Sequence, residues 1–312
     1  MPEPAWPRWR DLAELIRAPA ALSVPGDAVA GAAAAGRLGP RTGGLAAASV
    51  CLYWAGMAAN DWADRELDAV ERPERPIPSG RVSPAQALAV AAGLTVAGVG
   101  IAALVGGRRA AAVAVPLAGS VWVYDLWAKN TAAGPPMMAV CRGLDVLLGA
   151  SGGRIRSAVP AALTMAAHTG VVTMLSQREV TGGGKGLPLS TLAATVALAG
   201  TAARGPERSA GTAARGPERS AGTAARGPER SAGAAASLAL AAWYAVWFGS
   251  AQIKAAAEPS AQRIRAAVGA GITGMPPLQG ALTARAGAPI TAIALAAAAP
   301  LAKRLAKVVS PT

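Results

Sequence analysis

Long apolar runs follow one another along the whole chain, and the charged residues fall in clusters between them. A soluble helical protein would instead spread charge along the outward face of each helix. Gly43 to Ala59, Ala85 to Val105, Ala110 to Val123, Ala158 to Leu175, Leu187 to Ala203 and Ala234 to Ala251 are such runs. Each covers roughly 14–21 residues, against about 20 for a helix crossing the hydrocarbon core, so the shorter ones draw on flanking residues. Only 15% of residues are charged, below the ~25% of soluble domains. The apolar content is mostly Ala, Val, Leu and Gly, small enough for helices to pack closely in lipid. The expected fold is all-α: a polytopic transmembrane helical bundle of about nine spans, one domain over 1–312. The spans fall near 18–36, 43–61, 84–106, 109–125, 134–152, 158–176, 187–203, 234–252, 263–283 and 287–303, with Pro276 and Pro277 breaking the ninth.

This reading settles several smaller features. Met1 to Arg17 has no apolar core ahead of its charges and reads as an interfacial segment, not a cleavable signal. Trp6, Trp9, Trp62, Trp127 and Trp243 sit near expected span ends, as an interfacial belt requires. Cys51 and Cys141 lie inside apolar runs and read as small buried hydrophobes. The net charge of +13 sits in aqueous loops, where it sets topology and meets anionic lipid or phosphate; no nucleic-acid motif accompanies it. The arginine-rich stretch Arg65 to Arg81 favours the cytoplasm, although Arg108, Arg109, Arg154 and Arg156 fall on the opposite side. The bilayer is therefore a partner, in an integral, multi-pass protein of a bacterial cell membrane. Residues 200–232 are three perfect copies of GTAARGPERSA. An 11-residue period can mark a right-handed coiled coil, but each copy contains Gly-Pro and little large apolar surface. The segment reads as an inserted, disordered loop from tandem duplication.

The chemistry concentrates where the second span ends, in Asn60-Asp61-Trp62-Ala63-Asp64-Arg65-Glu66-Leu67-Asp68. At about 100° per residue, Asn60, Asp64, Asp68 and Asp61 lie at roughly 0, 40, 80 and 100°. Carboxylates this close repel one another, and a divalent cation removes that cost. Hard oxygen ligands at this density suit Mg²⁺, which takes one or two carboxylates and then substrate phosphates. Asn60, Asp61, Asp64 and Asp68 are therefore the candidate metal ligands, and the three aspartates the candidate catalytic acids. Glu71-Arg72-Pro73-Glu74-Arg75-Pro76-Ile77-Pro78-Ser79-Gly80-Arg81 follows. Its prolines stiffen a loop whose Arg72, Arg75 and Arg81 offer guanidinium groups to phosphate oxygens.

NDWADRELD resembles the first aspartate motif of the UbiA-type prenyltransferases, and ERPERPIPSGRVS resembles the proline–arginine loop that follows it in that family. The resemblance implies a helical bundle with a central cavity, in which two aspartate-rich segments bind Mg²⁺ and a prenyl diphosphate. It implies a transferase that passes the isoprenoid chain to an acceptor whose identity stays open. Tyr124 to Lys129 resembles the family's tyrosine–lysine segment; Lys129 either reaches the diphosphate or anchors the helix at the interface. Arg142 and Asp145 lie inside the fifth span, where charge usually faces a cavity or a partner. They either pair with each other or bind substrate.

The family's second aspartate motif has no full counterpart. Ser176-Gln177-Arg178-Glu179-Val180-Thr181-Gly182-Gly183-Gly184-Lys185 contains one acid. Either Glu179 with Gln177 holds a weaker metal site, or Arg178 and Lys185 replace the metal's charge, or catalysis is lost and lipid binding kept. Glu179 and Arg178 are expected to face the cavity of Asp61 and Asp64. The departure suggests a divergent branch, of the kind encoded in Ebo-type clusters. His168, the sole histidine, reads as a packed, hydrogen-bonded residue. The competing function is a non-catalytic polyprenyl-lipid binding or transport component. An ion-coupled transporter would need acids in several spans, and only Asp27 and Asp145 sit well inside one.

Overall fold

The computed structural model describes residues 6–204 and 226–297, all of it helix, turn or loop. The helices are α1 (Trp9–Leu15), α2 (Pro25–Ala34), α3 (Pro40–Ala63), α4 (Arg65–Glu71), α5 (Pro84–Val123), α6 (Gly134–Ala150), α7 (Ile155–Ser176), α8 (Gly186–Ala203), α9 (Arg226–Ala257), α10 (Ala261–Thr273), α11 (Met275–Arg285) and α12, which starts at 289. A 3₁₀ turn, Ala18–Ser23, precedes α2, and a π-helical turn, Tyr124–Ala128, extends α5. Helix α3 packs on α5, α5 on α6, α6 on α7, α7 on α8, α8 on α9 and α9 on α11, while α11 returns to α2 and α2 to α3. The bundle is thus a closed ring, and α2 also leans inward on α6.

Among the described residues, five helices are long and apolar enough to cross a membrane: Pro40–Ala63, Pro84–Ala128, Ile155–Ser176, Gly186–Ala203 and Ser231–Ala257. The second is really two. Straight, 40 residues would run ~60 Å, about twice the hydrocarbon thickness. Gly107, at φ 69° and ψ −162°, breaks it where the sequence places the boundary between 84–106 and 109–125. That backbone region is open essentially to glycine alone.

The remaining expected spans are shorter or interrupted, and helix lengths alone do not yield nine crossings. The first, 18–36, divides into the 3₁₀ turn and the ten-residue α2. The ninth breaks at Gly274, so Pro276 and Pro277 fall in the first turn of α11, where a missing N–H costs no hydrogen bond. The repeat is not loop throughout: 200–203 complete α8 and 226–232 begin α9, with 205–225 outside the described residues. Pro228 enters the first turn of α9, the one place in a helix that accepts it. Trp243, expected at a span end, falls in the middle of α9.

Close packing of small residues sets where α2 meets α6. An added Cβ on Gly31 would strike the Val146 carbonyl, and one on Gly149 the Ala28 carbonyl. The backbones therefore touch, and Asp27 comes beside Arg142. His168 is fully buried, with Nδ1 2.9 Å from the Tyr244 hydroxyl and Nε2 3.2 Å from the Gly271 carbonyl. It is the packed, hydrogen-bonded residue expected. Cys51 and Cys141 are both free.

Candidate active site

The C-terminal end of α3 carries the polar motif into contact with three other segments. Asp64 interrupts helical geometry at φ −88° and ψ 4°, yet its N–H still reaches the Asn60 carbonyl at 3.0 Å and its own carbonyl accepts from Asp68 at 2.8 Å. Register is kept from α3 into α4, so the four polar groups stay on one side. They do not converge on one point, however, and the angles explain why. Asn60 and Asp64 form a stripe near 20°, Asp61 and Asp68 a second near 90°, about 70° apart.

The second stripe meets arginines. Asp61, 3% exposed, lies 2.7 Å from Nη2 of Arg17 and 3.3 Å from Nη1 of Arg75. Asp68, equally buried, takes a short hydrogen bond from the same Arg75 nitrogen. Arg75 thereby joins two carboxylates and pins the proline–arginine loop to the helix. Ile77 and Val82 bury beside it against Ala58, Ala59 and Leu15. Arg72 is exposed. Arg81 reaches back to α1, donating to Asp11 at 2.8 Å and to Glu14 at 2.6 and 3.0 Å. Hydrogen bonding to Glu14, with Asp11 adding to it, raises the Arg81 guanidinium above its ordinary value.

The first stripe meets the π-helical turn. Asn60 donates from Nδ2 to Oδ1 of Asp125 at 3.1 Å. Lys129 lies 2.7 Å from Oδ1 of Asp64, its side chain 11% exposed. Widened turns of this kind are frequent at functional sites. Here the extra residue brings Asp125 and Lys129 to the same neighbour, α3.

Two cavities flank Tyr124. An inner one, of about 280 Å³, runs from Asn60 and Asp125 down an apolar wall that includes Leu52, Met57, Val121 and Met138. It reaches Ser49, Arg142 and Asp145 at its inner end. An outer groove, of about 540 Å³, is lined by Tyr124, Lys129, Asn130 and Thr131 on one side and by Ser176 and Gln177 on the other. The second-motif segment thus approaches the turn that carries Lys129, through Ser176 and Gln177, and Gln177 donates to the Thr131 carbonyl at 3.4 Å. Arg178 and Glu179 are not among the residues lining either cavity, and the Glu179 carbonyl accepts from Arg265 at 3.3 Å.

Arg142 and Asp145 do line the inner cavity, but they do not pair with each other. Arg142 lies 2.6 Å from Asp27 on α2, and Ser49 donates to Asp145. Gln279 donates to both Asp27 and the Ser23 carbonyl at 2.9 Å. An i,i+3 pair on one helix loses here to partners on facing helices, because α2 approaches α6 so closely. Sequence reasoning passed over Asp125, Arg17, Ser49 and Gln279. Asp125 adjoins a quoted segment and was within reach of the sequence; the other three carry no local signal.

The profile of the UbiA prenyltransferase family matches residues 24–206, more than half of the chain. The chain belongs to the UbiA prenyltransferase family. Similar curated relatives include digeranylgeranylglyceryl phosphate synthase of Methanopyrus kandleri, 40% identical over 111 residues, which are 35% of this chain and 40% of that protein. The synthase of the same name from Natronomonas pharaonis is 34% identical over 156 residues, 49% of this chain and 56% of its own. The matches thus span about half or less of these relatives' length. Among solved structures, a UbiA homolog from Aeropyrum pernix superposes with a TM-score of 0.61 at 18% identity, covering 84% of this chain and 96% of that one. A structure of digeranylgeranylglyceryl phosphate synthase gives the same TM-score at 17% identity, covering 90% and 98%. At that identity the likeness shows the UbiA fold.

UbiA membership raises the question of a metal. The candidate donors, Asn60 and Asp125 in the inner cavity and Asp64 beside Lys129, offer hard oxygens, as Mg²⁺ requires. Among the described residues, no three acids, histidines or cysteines converge closely enough to hold an ion unaided.

Proposed function

We propose that this chain is an intramembrane prenyltransferase of a bacterial cell membrane. It passes an isoprenoid chain from a prenyl diphosphate to an acceptor, with Mg²⁺ as cofactor. One observation carries the reading: Asn60 and Asp125 line a cavity whose wall is apolar, and Lys129, which lines the adjoining groove, pairs with Asp64. A diphosphate fits the polar mouth and a hydrocarbon the wall. Bound Mg²⁺ would supply charge to stabilise the departing diphosphate. Lys129 offers a fixed cation to the same oxygens, and Arg72, exposed on the proline–arginine loop, offers another. Transfer breaks the bond between C1 of the donor and the diphosphate oxygen, which leaves with the electron pair. The acceptor's nucleophile forms the new bond to C1 and releases a proton. The lipid-embedded wall keeps water from the cation-like carbon. Arg142 and Asp145 offer polar contacts at the inner end. Arg178 and Glu179 line neither cavity but follow Gln177 of the outer groove, and Arg178 adds positive charge beyond it.

The segment after α7, with Glu179 as its one acid, favours a second reading in which the protein binds a polyprenyl lipid without transforming it. One experiment separates the two. Purified protein is incubated with Mg²⁺ and prenyl diphosphates of increasing chain length, and both binding and diphosphate release are measured. Release that is lost in Asp64→Asn supports the transferase. Binding without release supports the lipid carrier, and neither result refutes both.

A further inference from the structure

The acids of the site are not equivalent, and their partners rank them. Asp61 and Asp68 are each neutralised by arginine. Asp64 faces one lysine. Asp125 is 3% exposed and, among the described residues, has a single hydrogen-bond partner, the neutral amide of Asn60, with no cation within ion-pair distance. It also lines the inner cavity together with Asn60. A buried carboxyl paired only with an amide has no compensating cation, and a bound cation would offset the cost of its charge. The charges of Lys129, Asp64 and Arg17 all reach Asp125, Arg17 from the same cavity lining but already engaged by Asp61.

A second, independent feature points to the ligand. The Lys129 ammonium is buried, and although Asp64 lies 2.7 Å away, no hydrogen-bond acceptor is in line with it. An ammonium carries three donors. Beside a spare carboxylate, such a group suits an anion that arrives with its own cation, as a metal diphosphate does.

Resting on the prenyltransferase reading, we infer that Asp125 is the second acidic arm of the metal–diphosphate site. It serves with Asn60 and Asp64 in place of the acid cluster absent after α7. The two arms come from α3 and from the π-helical turn, which the Asn60–Asp125 hydrogen bond and the Asp64–Lys129 ion pair hold together. The segment Ser176–Gln177 then closes the outer groove with neutral hydroxyl and amide groups and binds no metal.

The test uses Mn²⁺ as a spectroscopic substitute for Mg²⁺ and inorganic pyrophosphate as the anion. Detergent-solubilised full-length protein is titrated and free Mn²⁺ is read by electron paramagnetic resonance. Asp125→Asn keeps the shape and removes the charge; it should weaken Mn²⁺ retention at least tenfold. Asp125→Glu, which restores the carboxylate, should recover part of that loss, a rescue that a purely structural role would not give. Thermal unfolding of each variant checks that it is folded. Asp125→Asn holding Mn²⁺ like wild type overturns the inference and leaves the prenyltransferase reading standing, as does Glu179→Gln losing Mn²⁺ while Asp125→Asn keeps it. Wild type that holds no Mn²⁺ with pyrophosphate overturns both.

Discussion

Replacing Arg75 by alanine tests whether the proline–arginine loop is held by charge. Arg75 touches Asp61 and Asp68, whose side chains are 5% and 4% exposed. Asp61 retains Arg17 at 2.7 Å, so the damage falls on Asp68. Removing one partner of a buried pair costs about 3–5 kcal/mol, mostly because the other charge stays buried alone. The Arg75 side chain is 19% exposed, so water can enter the vacancy; the lower end, about 3 kcal/mol, is expected. Asp68→Asn in the same protein removes the stranded charge and should recover part of the loss. A double-mutant cycle should show coupling of about 1–2 kcal/mol, within the range for contacting residues. The assay is thermal unfolding of the four detergent-solubilised proteins, followed by tryptophan fluorescence, with half-lives at a fixed temperature where unfolding is irreversible. If the two substitutions add to within ~0.5 kcal/mol, the pair is not a unit and the tie does not exist.

Gly107→Ala should cost about 2 kcal/mol, the strain of an L-residue in a glycine-only region, and be seen as a lower unfolding temperature in detergent. Arg142→Leu leaves Asp27 buried without its cation and should cost about 3–5 kcal/mol, while Arg142→Leu with Asp27→Asn should recover much of it; equal stability of the two variants would show that Asp27 was never relieved by Arg142. Deleting one repeat copy, 211–221, should leave expression and melting unchanged, since loop closure depends weakly on length. Deleting two, 211–232, joins the end of α8 directly to the sequence that begins α9 and should lower the yield of folded protein unless α9 unwinds its first turns.

Much of the fold was legible because the bilayer imposes one solution on a long apolar run. The boundary inside α5 could be read from the polar Gly106-Gly107-Arg108-Arg109, and the break before α11 from its two prolines. The short α2 was not legible. Its apolar stretch from 18 to 36 has the composition of a span, but the turn after Arg17 starts from a left-handed residue, φ 48°, which no local pattern announces. The first acidic motif was legible as a helix face, because period 3.6 needs no tertiary information. Its partners were not: Arg17 lies 44 residues away from Asp61, and Asp125 lies 65 from Asn60. Of the two alternatives for Arg142 and Asp145, the mutual pair does not form, since sequence spacing reveals i,i+3 neighbours but not the helix that glycine packing brings closer; both residues do line the cavity.

The division of the acidic face follows from spacing that was in view from the start. Seven residues are nearly two helical turns, so Asp61 and Asp68 stack within about 20° and one guanidinium can span both. Four residues place Asp64 about 40° from Asn60, on the flank that meets the π-helical turn. A face that looks like one cluster of carboxylates is therefore two devices. One is closed on itself by Arg17 and Arg75 and fastens the loop over the helix end. The other faces the π-helical turn, where Asn60 and Asp125 line the cavity and Asp64 pairs with Lys129, one cation beside two acids. Charge repulsion is thus left to Asp64 and Asp125, and on the function proposed above an incoming cation and its diphosphate would relieve it.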